Sequence, residues 1–84
     1  MDEITIYTTS GCHDCRNAKR FLRERGVTFH EVNIDETPEA EELVLRVNAG
    51  LRKVPTFQVG ERYFAVSPFD PYQLAQEFGI ALNP

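Results

Sequence analysis

Residues 4–15, Ile4-Thr5-Ile6-Tyr7-Thr8-Thr9-Ser10-Gly11-Cys12-His13-Asp14-Cys15, pass from a β-type run through a short turn into the start of a helical segment. Ile4 to Thr8 alternates apolar and polar positions and is rich in β-branched residues, the pattern of a strand. Thr9-Ser10-Gly11 turns the chain. From Cys12 onward, Cys15, Ala18, Phe21 and Leu22 fall at helical spacing, and Gly26 behind Arg25 is a C-terminal stop. Cys12 and Cys15 are the only cysteines. In a first helical turn, residues i and i+3 lie about 5–6 Å apart, within the Cα range a disulfide allows. A helix N-terminus also favours the thiolate, the reactive form of cysteine. A pair that can close, open and present one activated sulfur is a redox centre.

The elements on either side extend this reading. Val27 to Ile34 reads as a second strand, and the helix before it makes a right-handed βαβ unit with parallel strands. Thr37-Pro38 is a helix entry, with proline where its missing N–H costs nothing. Glu39, Glu41 and Glu42 complement the dipole of that helix, Leu43, Val44 and Val47 form its apolar stripe, and Gly50 closes it. Thr56 to Val59, a Gly60-Glu61 turn and Arg62 to Val66 form a β-hairpin. Asp70-Pro71-Tyr72-Gln73 caps a last helix, with Gln73 reaching back to the cap, and the helix ends near Phe78-Gly79. The order β-α-β-α-β-β-α, sharing a four-stranded mixed sheet flanked by helices, is the α/β arrangement of thioredoxin-like folds.

Length and composition bound the rest. With 84 residues, 42% apolar and 26% charged, residues 1–84 read as a single domain of ordinary globular composition. No apolar run approaches the ~20 residues of a membrane span, and the first residues lack the basic-then-apolar order of a secretion signal. A cytoplasmic protein without a membrane partner is expected, and in that compartment a close cysteine pair is catalytic or metal-binding rather than a staple. The net charge of −4 argues against nucleic acid as a partner. Arg16, Lys19, Arg20, Arg23 and Arg25 nevertheless crowd the segment after the cysteines. They are either a solvated helix face or a basic rim that attracts an acidic partner and favours thiolate at Cys12.

The pair divides the labour of disulfide exchange. Cys12, at the mouth of the helix, is the expected nucleophile; Cys15, one turn in, is the expected resolving thiol. His13 favours thiolate at Cys12 when protonated and Asp14 disfavours it, so their opposed charges assign no direction within the roughly −270 to −120 mV spanned by related centres. A zinc site would need two further ligands, and His13 and His30 do not stand at a zinc spacing, so no metal is expected. His30 reads as structural or surface, and Tyr7 as a core residue. Phe57, Phe64, Phe69 and Tyr72 read first as core, with exposure at a docking surface the alternative for Phe69 and Tyr72, which follow a proline-bounded loop. Val54-Pro55 precedes the third strand; cis bonds occupy only about 5–6% of X–Pro bonds in folded proteins, but in this architecture a cis-proline loop faces the thiols. The backbone of Val54 is then free to pair with an extended substrate.

Together the Ile4–Tyr7 strand, Thr8-Thr9-Ser10-Gly11-Cys12-His13-Asp14-Cys15, the Asn33-Ile34-Asp35 strand end and Val54-Pro55-Thr56 resemble the glutaredoxin family over essentially the whole chain. The resemblance implies a thiol-disulfide oxidoreductase with a cis Pro55, catalytic Cys12 and Cys15, and substrate contacts at Thr9, Gly11, His13, Val54 and Pro55. Glutathione-using members carry Lys where this chain has Thr9, Gly-Gly where it has Ala65-Val66, and Pro-Tyr where it has His13-Asp14. In these respects the chain is similar to the NrdH-type redoxins, which thioredoxin reductase serves, although it lacks the Trp and Phe-Arg-Pro run of their last loop. The implied cycle needs no bound cofactor and draws on NADPH indirectly through a reductase. A monomer that reduces protein disulfides, with thioredoxin reductase as its partner, is expected. Glutathione or another small thiol as donor, an iron–sulfur carrier using Cys12, and a non-enzymatic docking module are the alternatives.

Overall fold

The computed structural model describes residues 3–80. Its elements are β1 (Ile4–Thr8), α1 (His13–Glu24), β2 (His30–Asn33), α2 (Pro38–Val47), β3 (Thr56–Val59), β4 (Arg62–Ala65) and α3 (Pro71–Phe78). The four strands form one sheet in the order β2-β1-β3-β4. β2 runs parallel to β1, whereas β3 pairs antiparallel with both β1 and β4. This is the mixed sheet that the βαβ half and the hairpin predict.

Strand alternation sends β1 side chains to two separate cores. Ile4 and Ile6 join Ala18, Phe21 and Leu22 of α1, Leu74 and Ala75 of α3, Phe57 and Val66 on one face. Tyr7 joins Ile34 and the α2 residues Ala40 and Val44 on the other, with Val54 packed against them. Phe57 anchors the larger core: its ring stacks on Phe64 at 5.3 Å and meets Phe78 edge-on at 5.6 Å. Complete burial of side chains such as Ile6, Leu22, Phe57 and Leu74 stabilises the fold by roughly 1.5–3 kcal/mol each.

Two local expectations are corrected, and one is completed. The second strand spans His30–Asn33 rather than residues 27–34. Gly26, at φ 72°, takes the left-handed position after α1, Gly26 N–H bonds Arg23 C=O, and Val27 N–H bonds Leu22 C=O. That Schellman cap uses the Val27 amide, so the ladder starts only after the chain has turned away from the helix. α2 ends at Val47, and Gly50 closes it with φ 86° and an N–H that bonds Leu45 C=O at 2.7 Å. Asn48 donates its side-chain amide to Val44 C=O at 2.8 Å, and Ala49 also holds a left-handed φ, of 57°. Finally, Asp70 caps α3 by accepting from Tyr72 N–H and Gln73 N–H, but the Gln73 side chain donates to Ala65 C=O instead of reaching back.

Candidate active site

The sheet gathers four connections at one end. β1 finishes at Thr8 beside Asn33, the last residue of the parallel β2, while the antiparallel β3 begins opposite Tyr7 and β4 finishes opposite Thr56. The Thr9–Cys12 turn, the chain after Asn33, the Val54-Pro55 step and the loop from Val66 to Asp70 therefore emerge from the same edge.

Gly11 supports the turn into α1 with φ 76°, where a side chain would be strained. Cys12 is the N-cap of α1: its Sγ accepts the Cys15 N–H at 3.0 Å, a role usually filled by a Ser, Thr, Asp or Asn oxygen. Cys12 and Cys15 are joined as a disulfide with Cα atoms 5.2 Å apart. Cys12 is half-buried, whereas Cys15 is 1% exposed because it shares the inward face of α1 with Ala18 and Leu22. The helix thus leaves Cys12 partly exposed and buries Cys15.

Each residue that the sequence singles out has a definite place in the structure. Thr9 C=O accepts the Cys12 N–H at 3.4 Å, which closes the turn. His13 is exposed and its Nδ1 lies 2.9 Å from the Arg16 guanidinium. Val54-Pro55 is a cis peptide bond. Pro55 is fully buried, and Val54 packs on the Tyr7, Ile34, Ala40 and Val44 core. Continuing the β1–β3 register by one residue sets Pro55 level with Thr8, at the base of the cysteine turn. Tyr7 itself turns to the core, where its hydroxyl donates to Gln58 Oε1 at 2.8 Å. Burial, reinforced by Tyr63, pushes its hydroxyl above the usual tyrosine range. His30 sits at the surface against Glu3, 3.0 Å away. Of the two exposed candidates, Tyr72 stands in solvent, whereas Phe69 lays its ring against Phe21 with centroids 6.1 Å apart.

Two sets of ties are not apparent from the motif. Asn33 Nδ2 donates to Ser10 Oγ at 3.0 Å, and Ser10 N–H donates to Asp35 at 3.3 Å. Asp35 in turn pairs with Arg52, whose Nε also bonds Glu41 at 2.7 Å. The Arg52 hydrogen bond and then the Ser10 amide hold the Asp35 carboxyl below its usual range. The second tie is at Asp14, whose Oδ1 accepts the Phe69 N–H at 3.1 Å. A second Pro, Pro68, also follows a cis bond within that loop.

The basic segment of α1 is partly committed elsewhere. Lys19 pairs with Glu31 at 2.7 Å, and the Arg25 guanidinium stacks 3.9 Å from the Phe21 ring centroid. Arg16, Arg20 and Arg23 stay exposed. Among the described residues, no group of three or more His, Cys, Asp or Glu side chains could hold a metal ion, and no helix is long and apolar enough to cross a membrane. An apolar groove of about 370 Å³, lined by Ile4, Val27 and Phe29 among others, lies at the far end of β1 from the cysteines.

A redox-active pair at this point of a thioredoxin-like sheet defines a thiol-disulfide oxidoreductase, and sequence comparison places the chain within that class. The glutaredoxin family model matches residues 4–64, and the chain belongs to the glutaredoxin family. It is 37% identical over 73 residues to the glutaredoxin-like protein NrdH of Lactococcus lactis subsp. cremoris strain MG1363, an alignment covering 87% of this chain and 96% of the relative. It is 39% identical over 88 residues to the glutaredoxin of Neisseria meningitidis serogroup A, with both chains fully covered. The solved NrdH-redoxin of Escherichia coli, a glutaredoxin-like protein described as having a thioredoxin-like activity profile, matches at TM-score 0.72 and 34% identity. That match covers 98% of this chain and 96% of the other.

Proposed function

We propose that this protein is a small electron carrier that reduces protein disulfides, with Cys12 as nucleophile and Cys15 as resolving thiol. The observation that carries the assignment is the asymmetry of the pair: Cys12 caps the helix and meets solvent, while Cys15 is buried one turn in. In the reduced protein the Cys15 N–H that now points at Cys12 Sγ stabilises a thiolate there, together with the helix dipole. That thiolate attacks one sulfur of the substrate disulfide, a Cys12–substrate disulfide forms, and the other substrate sulfur leaves as thiolate and takes a proton from water. Cys15 then loses its proton and attacks Cys12 Sγ, the mixed disulfide breaks, and the second substrate sulfur is released. Two electrons have passed to the substrate and the Cys12–Cys15 disulfide has formed.

The substrate contacts on this reading are Thr9, Gly11 and His13 on the cysteine turn, and Val54 with Pro55 across from it. The Val54 backbone pairs with an extended segment bearing the target disulfide. Thioredoxin reductase returns the two electrons from NADPH, and the protein itself holds no cofactor. Thr9 and Ala65-Val66 in place of the family's glutathione-associated residues support that donor, as does the thioredoxin-like profile of the Escherichia coli relative. The protein acts in the cytoplasm as a single-domain monomer.

NADPH consumption coupled to insulin reduction tests the assignment with thioredoxin reductase in one arm, and glutathione with its reductase in the other. Turnover is expected in the first arm; turnover only in the second overturns the choice of donor. Cys12→Ser abolishes turnover in both arms, and Cys15→Ser accumulates mixed disulfides. A fully active Cys12→Ser protein would reject the mechanism.

A further inference from the structure

The residue between His13 and Cys15 does more than add a charge to the redox turn. Asp14 accepts the Phe69 N–H at 3.1 Å across 55 residues of chain. The loop that supplies this amide begins at Val66, whose N–H donates to Pro55 C=O at 3.2 Å. Residues 66–69 therefore run from the Val54-Pro55 step to the cysteine turn and are pinned at both ends. Phe69 is held a second time by its ring against Phe21 of α1, while Ser67 and Pro68 between the pins are exposed.

We propose that Asp14 is a positioning residue for macromolecular substrates: its bond to Phe69 N–H fixes the 66–69 loop as one wall of the surface on which a protein disulfide docks beside Cys12. The physical argument is one of ordering. A segment fixed before binding costs no loop entropy when the partner arrives, whereas a loosened one must be ordered in the encounter. A protein substrate extends beyond its disulfide and touches the loop. A small disulfide engages Cys12 alone and is indifferent to the loop. The inference rests on the assignment of Cys12 as the attacking sulfur, since that assignment makes this edge the docking face.

Two kinds of substitution separate the bond from the charge. Asp14→Asn removes the charge and keeps an oxygen acceptor in the same place; Asp14→Ala removes both. Asp14→Ser, too short to reach Phe69, repeats the second arm with a polar side chain, so loss of folding in one variant does not end the test. Steady-state reduction of insulin and of hydroxyethyl disulfide is measured for each, with dithiothreitol as the common reductant. Hydrogen exchange of the Phe69 amide is followed by NMR.

The expected result is a KM for insulin at least fivefold higher in Asp14→Ala and Asp14→Ser, with kcat within twofold. Asp14→Asn stays within twofold of the wild type in KM, and no variant shows a differential effect on hydroxyethyl disulfide. The Phe69 amide exchanges faster in the Ala and Ser variants and not in Asn. Equal KM values for insulin in the Asn and Ala variants would overturn the proposal. So would an equal loss on both substrates, which marks general damage to the cysteine turn. If Cys12→Ser remains active, the functional assignment falls instead, and the exchange of the Phe69 amide still reports on the tether.

Discussion

Reduction of the Cys12–Cys15 disulfide should destabilise the fold by an amount that depends on pH in a defined direction. The bridge joins residues at a sequence separation of 3. In the chain-entropy account, closing a loop of about four residues removes roughly 6 cal/mol/K from the unfolded chain, or about 1.9 kcal/mol at 25 °C. Against this, the reduced protein gains a Cys12 thiolate at the N-terminus of α1, next to the Cys15 N–H, a position worth roughly 0.3–1 kcal/mol to an anion. A cysteine whose folded pKa is depressed contributes its stability above the unfolded value near 8.5, and loses it as pH falls through the folded value. The oxidised form should therefore exceed the reduced one by about 1.9 kcal/mol at pH 5 and by about 1–1.5 kcal/mol at pH 9. For a domain of this size, the larger gap corresponds to a shift of roughly 8–15 °C in Tm. Urea unfolding followed by far-UV circular dichroism, with and without a phosphine reductant, measures both gaps. A gap that widens as pH rises would refute the placement of a stabilised thiolate at the helix mouth. A reduced form as stable as the oxidised one at pH 5 would refute the chain-entropy account.

Three further outcomes follow from the packing and the ties around the site. Phe57→Ala removes a fully buried ring that contacts Phe64 and Phe78, and should cost about 3–5 kcal/mol in chemical denaturation; a cost below about 1.5 kcal/mol would show that the aromatic core collapses around the cavity. Ala49→Gly relieves a left-handed residue, which costs an L side chain roughly 1–2 kcal/mol, against about 0.5–1 kcal/mol of added chain entropy, so a net gain near 0.5–1 kcal/mol is expected by the same assay. Arg52→Met removes the main cause of the depressed Asp35 carboxyl, so NMR titration should show Asp35 moving up toward its ordinary value of 3.8. Because the folded pKa lies below the unfolded one, the wild-type contribution of Asp35 is present above that value and is lost as pH falls through the folded pKa, and an unmoved Asp35 in Arg52→Met would contradict the bridge.

The parts of the fold that were legible in the sequence are those with local causes. Ile4 to Thr8 alternates, Cys15, Ala18, Phe21 and Leu22 repeat at helical spacing, and Asp70-Pro71 caps and starts α3 on its own. Gly60-Glu61 likewise dictates the hairpin between β3 and β4. A boundary failed where a cap competed with an element. Residues 27–29 have strand-like composition, but the Schellman cap of α1 claims the Val27 amide.

The site divides along the same line. The thiol pair, its turn and the proline step are short motifs, each read from neighbouring residues alone. What a motif does not carry is the connection between motifs, because those bonds join residues far apart in sequence. Ser10 to Asp35, Asp35 to Arg52 and Asp14 to Phe69 link the cysteine turn to the end of β2, to the approach to Val54-Pro55 and to the last loop. Ser10, Asp14, Asp35 and Arg52 are ordinary polar residues in loops or a first helical turn, Phe69 enters through its backbone amide, and only topology brings each to its partner. The redox pair is thus written in residues 12 and 15, whereas the arrangement of the loops around it is held by bonds that converge once the sheet has brought four loops to one end. Replacing His13 or Asp14 in the motif therefore changes two things at once: the field at Cys12, which is local, and, for Asp14, the hold on a loop 55 residues away.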